Sequence, residues 1–288
     1  PTRRSSDRSE ERRVGKEYNP FVSADAVPGG ELVVYAGPYP RSLNYLLDTS
    51  VLSLDVFNAL YDSLLGMHPL TMEFEPGVAN RWSVSDDKRS ITVHLDPKAA
   101  WSDGTPITAA DVEWTWLAIL DPKHLTGPHK VDLERFEKPE VLGERSIRFT
   151  AKEAHWKNLL TVAGLNVLPK HVMATQDFNK INFEFPVVSG PYRLAELKEG
   201  FFSRLERRDD WWQRGRVNTE GAGNFRSIRY MYFQERDNAF DALKKGNVDF
   251  FAVYTAHQWV TQTSGDRFDR NWIVKQRVRN YNPIGFQG

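Results

Sequence analysis

Trp101 to Val112 reads WSDGTPITAADV, which sets a turn and a helix start side by side. Asp103-Gly104 is a turn pair. Thr108 carries the short hydroxyl of a helix N-cap, and Asp111, three residues on, is its capping-box partner. Val112, Trp116, Ile119 and Leu120 then recur at helical spacing, and the helix must stop before Pro122. Upstream, Ser90 to Leu95 alternates, with Ile91, Val93 and Leu95 on one face, so it reads as a half-buried strand. Ser146 to Thr150 alternates in the same way.

Farther out the same reading continues. Pro28-Gly29-Gly30 is a turn, and Glu31 to Ala36 (ELVVYA) is a buried strand. From Val51 to Leu65, Leu54, Phe57, Leu60, Tyr61, Leu64 and Leu65 predict a helix that Gly66 would end. Asn238 to Lys245 predicts a short helix closed by Gly246. Val248 to Val253 (VDFFAV) predicts a strand buried on both faces. Strands and helices mix throughout, so the class is α/β or α+β.

The 288 residues include 38 Lys+Arg and 38 Asp+Glu. This balance argues against a nucleic-acid partner, because neutralising phosphates needs an excess of cations. The chain has no cysteine, which excludes disulfide scaffolds, thiol catalysis and thiolate metal sites. Its longest mostly apolar stretch, Leu159 to Leu168, is interrupted by Thr161, Gly164 and Asn166 and is too short for a membrane span. Nine Trp, ten Tyr and seventeen Phe point to large cores or to an aromatic-lined cleft. The first sixteen residues, PTRRSSDRSEERRVGK, are charged and almost free of apolar residues, and no apolar segment follows as a secretory leader requires. Residues 1–30 are therefore expected to be a disordered or artefactual tail, since RSEERRVGKE resembles a translated vector tract.

Enzyme motifs are missing. No HExxH pairs the seven histidines, and His124 and His129 sit in a loop as surface histidines. There is no GxSxG elbow, no GxxxxGK[ST] loop and no GxGxxG. Asp86-Asp87 and Asp209-Asp210 lie in polar loops, where adjacent Asp is ordinary turn chemistry. Arg207, Arg208, Arg214 and Arg216 surround Trp211 and Trp212, but Glu206, Asp209 and Asp210 offset the charge, so this tract reads as packing on the domain. The residues alone give a soluble, aromatic-rich α/β protein without recognisable catalysis, which favours binding.

Several segments in order resemble the bacterial extracellular solute-binding proteins of family 5, the oligopeptide and dipeptide receptors of ABC importers. They are Pro76 to Trp101 (PGVANRWSVSDDKRSITVHLDPKAAW), the WSDGTPITAADV string itself, Leu168 to Val172 (LPKHV) and Ser189 to Tyr192 (SGPY). Asp209 to Trp212 (DDWW) and Ala242 to Phe250 (ALKKGNVDF) complete the set. Tyr254 to Val260 (YTAHQWV) and the closing NPIGFQG are similar to the branch linked to microcin C and other oligopeptide-type ligands.

The resemblance implies a periplasmic binding protein-like fold of the cluster C type. It divides the chain into lobe I (residues 31–58 and 168–288) and an inserted α+β subdomain (residues 59–167), with the second lobe missing and Gly288 at the hinge. It implies a receptor that captures peptides or peptide-like solutes in the periplasm and delivers them to an ABC permease in the inner membrane. Such a receptor is expected to be monomeric, needs no cofactor and no metal, and is not an enzyme. Alternatives are a secreted aromatic-cleft hydrolase, or a receptor of the same fold for nickel or for sugar or opine ligands.

Ligands gather at the carboxyl ends of strands in α/β lobes. Tyr254, Thr255 and Trp259, in the loop after the expected strand, are therefore candidate ligand contacts. Tyr281 and Asn282, approaching the hinge, join them. So do Ser50 and Ser53 at the start of the first long helix. The plain reading stands beside each: Trp259 packs on the lobe, and Ser50 caps its helix. Half a clamshell buries half the ligand surface, so weak binding by this chain alone is expected.

Overall fold

The computed structural model describes residues 25–69 and 71–277. Its elements run β1 (Glu31–Tyr35), α1 (Val51–Leu60), β2 (Leu65–Met67), β3 (Phe74–Pro76), β4 (Ala79–Val84) and β5 (Ser90–Leu95). They continue with α2 (Ala109–Leu120), α3 (Gly127–Leu133), β6 (Glu140–Gly143), β7 (Ser146–Thr150), α4 (Lys157–Ala163) and α5 (Lys170–Met173). The last are β8 (Tyr192–Lys198), β9 (Phe202–Arg207), β10 (Ser227–Met231), α6 (Arg236–Lys245), α7 (Ala256–Thr261) and α8 (Asp266–Asp269).

Two four-stranded sheets organise the chain. One has the order β1-β10-β9-β8, with β1 parallel to β10 and the other pairs antiparallel. The other, β4-β5-β7-β6, is antiparallel and lies in sequence wholly between β1 and β8. A single buried cluster nevertheless runs through both, from Leu43 and Phe57 through Trp101, Trp116 and Phe149 to Tyr192 and Tyr230. Each large apolar side chain in it contributes roughly 2 kcal/mol of burial free energy. A smaller cluster of Phe240, Ala242, Leu243 and Val248 packs α6 against β1 through Val33 and Tyr35.

The strands at Ser90–Leu95 and Ser146–Thr150 have the expected bounds, and Ile91, Val93, Leu95, Ile147 and Phe149 are all buried. At the start of α2, the Asp111 carboxylate accepts from the Thr108 backbone N–H and from its hydroxyl, both at 2.9 Å. The same side chain reaches across the fold: its other oxygen accepts from the Lys170 N–H at 3.1 Å. Thr115, one turn on, accepts from the Leu168 N–H at 2.9 Å. The LPKH segment is thus docked on the helix that WSDGTPITAADV begins. Gly246 closes α6 in the left-handed conformation, at φ 80°.

Three expectations need correction. The helix from Val51 ends at Leu60, five residues early. Tyr61, Leu64 and Leu65 are buried as expected, but in extended chain, because the SGPY turn closes the helix end: the Ser189 and Gly190 N–H groups both donate to the Leu60 carbonyl. A side chain at Gly190 would stand 2.4 Å from the Ala59 carbonyl oxygen, so only glycine permits this approach. The strand expected over Val248 to Val253 is reduced to one parallel bridge between Val34 and Phe250. Val248 is buried, whereas Phe250 is 57% exposed, so the segment edges the sheet rather than filling its middle. Finally, Gly29 and Gly30, placed in the tail, are tied to the sheet: Gly29 N–H donates to Asn224, and the Gly30 carbonyl accepts from Arg226 and Ser227. The rest of the expected tail, residues 1–24, lies outside the described residues, as do Tyr281 and Asn282.

Candidate functional site

Because β1, β10 and the Val34–Phe250 bridge are parallel, their carboxyl ends come out on one side of the sheet. Three aromatic rings meet an arginine there, and a fourth, Phe233, packs on one of them. Tyr35, the last residue of β1, stacks on Phe251 at 5.1 Å and tilts against Phe233 at 6.2 Å. The Arg236 guanidinium lies 4.6 Å from the Phe251 ring, 5.2 Å from Tyr254 and 5.7 Å from Tyr35. One of its terminal nitrogens donates to the Ala252 carbonyl. Tyr254 is 82% exposed, so this aromatic group opens to solvent.

A second aromatic group follows the same strands but packs into the larger buried cluster. Tyr39, in the loop after β1, stacks on Phe183 at 5.5 Å and meets Tyr232 edge-on at 5.2 Å. Burial pushes the Tyr232 phenol up to about 12. Burial, helped by the nearby Glu199 charge, raises that of Tyr39. Both phenols are therefore neutral at ordinary pH, and the Tyr232 hydroxyl is buried inside the protein.

Ser50 and Ser53 form one unit at the head of α1. Their hydroxyls lie 2.8 Å apart, the Ser53 N–H donates to Ser50 Oγ at 3.2 Å, and Ser53 Oγ donates to the Ser42 carbonyl at 2.6 Å. Ser53 is fully buried, with its bonds spent inside the protein, so it supports Ser50 rather than facing a ligand. Ser50 is the N-cap of α1, and the loop just before it borders an open cavity of about 450 Å³. That cavity lies between Tyr45 and Thr49 on one side and His129, Lys157 and Thr161 on the other.

Thr255 caps α7, its hydroxyl accepting from the Gln258 N–H. Trp259, one turn on, is half-buried and covered by Lys275 at 4.3 Å and Arg277 at 5.7 Å. The expected residues thus fall into two groups, Ser50 with Ser53 and Tyr254 with Thr255 and Trp259, and no described contact joins them. Tyr35, Phe251, Arg236 and the Tyr39–Phe183–Tyr232 group escaped the sequence reading. Their proximity depends on pairing β1 with β10, almost two hundred residues away, and no local pattern encodes that.

The other candidate chemistry resolves into structure. Trp211 and Trp212 both donate their indole N–H to Asp62 Oδ2, at 3.2 and 2.8 Å, and Arg216 covers Trp212 at 4.5 Å. Asp209 pairs with Arg207 and Arg214, and Asp210 with Arg208. His124 contacts the Ala118 carbonyl and His129 the Tyr45 carbonyl. Among the described residues no group of three His, Asp or Glu could hold a metal ion, and no helix is long and apolar enough to cross a membrane.

Comparison with known proteins bears on this geometry. The family model described as bacterial extracellular solute-binding proteins, family 5, middle, matches residues 73–286. The chain is 29% identical over 281 residues to the probable peptide-binding protein YejA of Agrobacterium fabrum, covering 94% of this chain and 45% of that protein. It is 30% identical to the peptidoglycan-binding protein YepA of the same organism, covering 93% and 46%. Among solved structures, the periplasmic binding protein DppA from Helicobacter pylori, in complex with the peptide STSA, superposes with a TM-score of 0.70 at 20% identity, over 83% of this chain and 49% of that one. The chain therefore spans about half the length of the relatives it matches.

Proposed function

This chain belongs to the bacterial extracellular solute-binding proteins of family 5, and on that premise we propose that it is part of the substrate-binding component of an ABC importer, taking peptides or peptide-like solutes. In this reading residues 31–58 and 168–288 form one lobe and residues 59–167 an insertion in it. The protein works outside the cytoplasm, hands its ligand to a membrane permease and catalyses nothing. Ser50, Tyr254, Thr255 and Trp259 contact the ligand, with Ser53 behind Ser50, and Tyr281 and Asn282 belong to the same surface.

One observation carries this reading: the solvent-open aromatic edge at the carboxyl ends of β1 and β10, where Tyr35, Phe251 and Tyr254 surround Arg236. Aromatic side chains give large contact area at small entropic cost, which suits a receptor that must tolerate varied side chains. The similarity to a peptide-binding and to a peptidoglycan-binding relative supports a peptide-like ligand, and the latter makes a cell-wall peptide the second reading.

Isothermal calorimetry with trialanine and with a muropeptide, on the wild type and on Tyr254→Ala, tests the proposal. Saturable heat that the substitution weakens at least fivefold is expected. Equal heats from both proteins, or hydrolysis of either compound, would overturn it.

A further inference from the structure

Arg236 is the one cation inside the aromatic group, and its bonding is incomplete. A guanidinium offers five N–H donors in a planar fork. Within the protein one goes to the Ala252 carbonyl, and the ring faces of Tyr35, Phe251 and Tyr254 take the flat faces of the ion. No carboxylate among the described residues pairs with it. On the same sheet Arg193, Arg204 and Arg229 each have such a partner, in Glu206, Glu196 and Glu31. Glu235 and Asp237, its neighbours in sequence, are exposed and make no ion pair with it. Arg236 itself is half-buried, where a charge without a counter-ion is disfavoured.

The guanidinium sits where the parallel strands end, in contact with the rings of Tyr35, Phe251 and Tyr254, none of which supplies a carboxylate to offset its charge. The stacked rings hold the fork in place, which reduces the entropy lost when it takes a bidentate partner.

We propose that the ligand meets this edge through a carboxylate and that Arg236 is its counter-ion, the residue that selects ligands bearing that group. The inference rests on reading the edge as the ligand surface. It adds what the ligand must carry there.

The test is a set of matched probes titrated into the whole chain, labelled with ¹⁵N: N-acetyl-alanine, N-acetyl-alaninamide and inorganic phosphate. The readout is the Arg236 Nε–H resonance together with the backbone amides of Phe251 and Tyr254. Saturable shifts are expected with N-acetyl-alanine, with at least tenfold weaker binding of the amide and of phosphate. In Arg236→Met the preference for the acid over the amide should vanish, while Arg236→Lys should retain part of it. Equal binding of acid and amide at Tyr254 would overturn the counter-ion role and leave the ligand surface standing. Shifts from phosphate as strong as those from the acid would overturn the carboxylate assignment. No saturable shift at these residues with any probe would overturn the inference, and trialanine calorimetry separately decides the parent reading. The wild-type acid and amide arms do not depend on either variant folding.

Discussion

His171 Nε2 lies 2.9 Å from Asp103 Oδ2, which bonds the LPKH segment to the WSDG turn across 68 residues of sequence. Asp111 makes the companion link, accepting from Thr108 and from the Lys170 N–H. Two of the segments that resemble family motifs are therefore each other's docking partners, which explains them as architecture. Their exposure separates them: the Asp103 and His171 side chains are each about one-third exposed, whereas Asp111 is buried. Asp111→Ala should cost about 1–2 kcal/mol, because it removes a helix cap and leaves the Thr108 and Lys170 N–H groups without their acceptor. His171→Ala should cost less than about 1 kcal/mol. Urea unfolding of the two variants checks the order.

Gly190 and Gly104 give a contrast in glycine use. A Cβ on Gly190 would meet backbone of Ala59 and Leu60 at 2.4 to 2.9 Å, while one on Gly104, at φ 84°, would meet nothing within 4 Å. Gly104→Ala is expected to cost about 1 kcal/mol through backbone conformation alone. Gly190→Ala should cost at least about 3 kcal/mol, because the SGPY turn must leave the end of α1. Thermal denaturation would show the first variant folded with a small shift in Tm and the second severely destabilised or insoluble.

Asp62 predicts a pH dependence. Burial raises its pKa to about 6, against the opposing bonds from Gln213, Trp211 and Trp212 and the charge of Arg208. An unfolded Asp titrates near about 3.9, so the folded chain holds the proton more tightly. The stabilising contribution is complete below the unfolded value and is lost as pH rises through about 6. The residue as a whole is only partly buried, so the effect between pH 5 and pH 7 should be at most about 1 kcal/mol. Asp62→Asn should flatten that part of the stability profile, as measured by urea unfolding at both pH values. A wild-type profile that rises from pH 5 to pH 7 and is unchanged in the variant would contradict the assignment.

Local patterns carried much of the fold. Alternation at Ser90–Leu95 and Ser146–Thr150, and the cap at Thr108, are short-range features that tertiary structure did not override. The early end of α1 was hidden because Tyr61, Leu64 and Leu65 keep an apolar spacing that suits a buried extended chain as well as a helix. VDFFAV looked like a central strand because its composition is apolar, yet its place in the sheet is set by a single bridge to Val34. In the candidate site, Tyr254 and Thr255 were legible from their position after that segment. Arg236 was not, because its meaning comes from rings on β1 and at Phe251 that only the folded sheet brings to it.

The central claim is that the carboxyl edge of the β1–β10 pair is the ligand surface. Mapping trialanine onto the ¹⁵N-labelled chain tests it most directly. The account predicts saturable shifts at Phe251, Tyr254, Thr255 and Trp259, with the β4–β5 hairpin unmoved. Shifts confined to the cavity between Thr49 and Thr161, or to the exposed Trp156 beside Lys88, would contradict it.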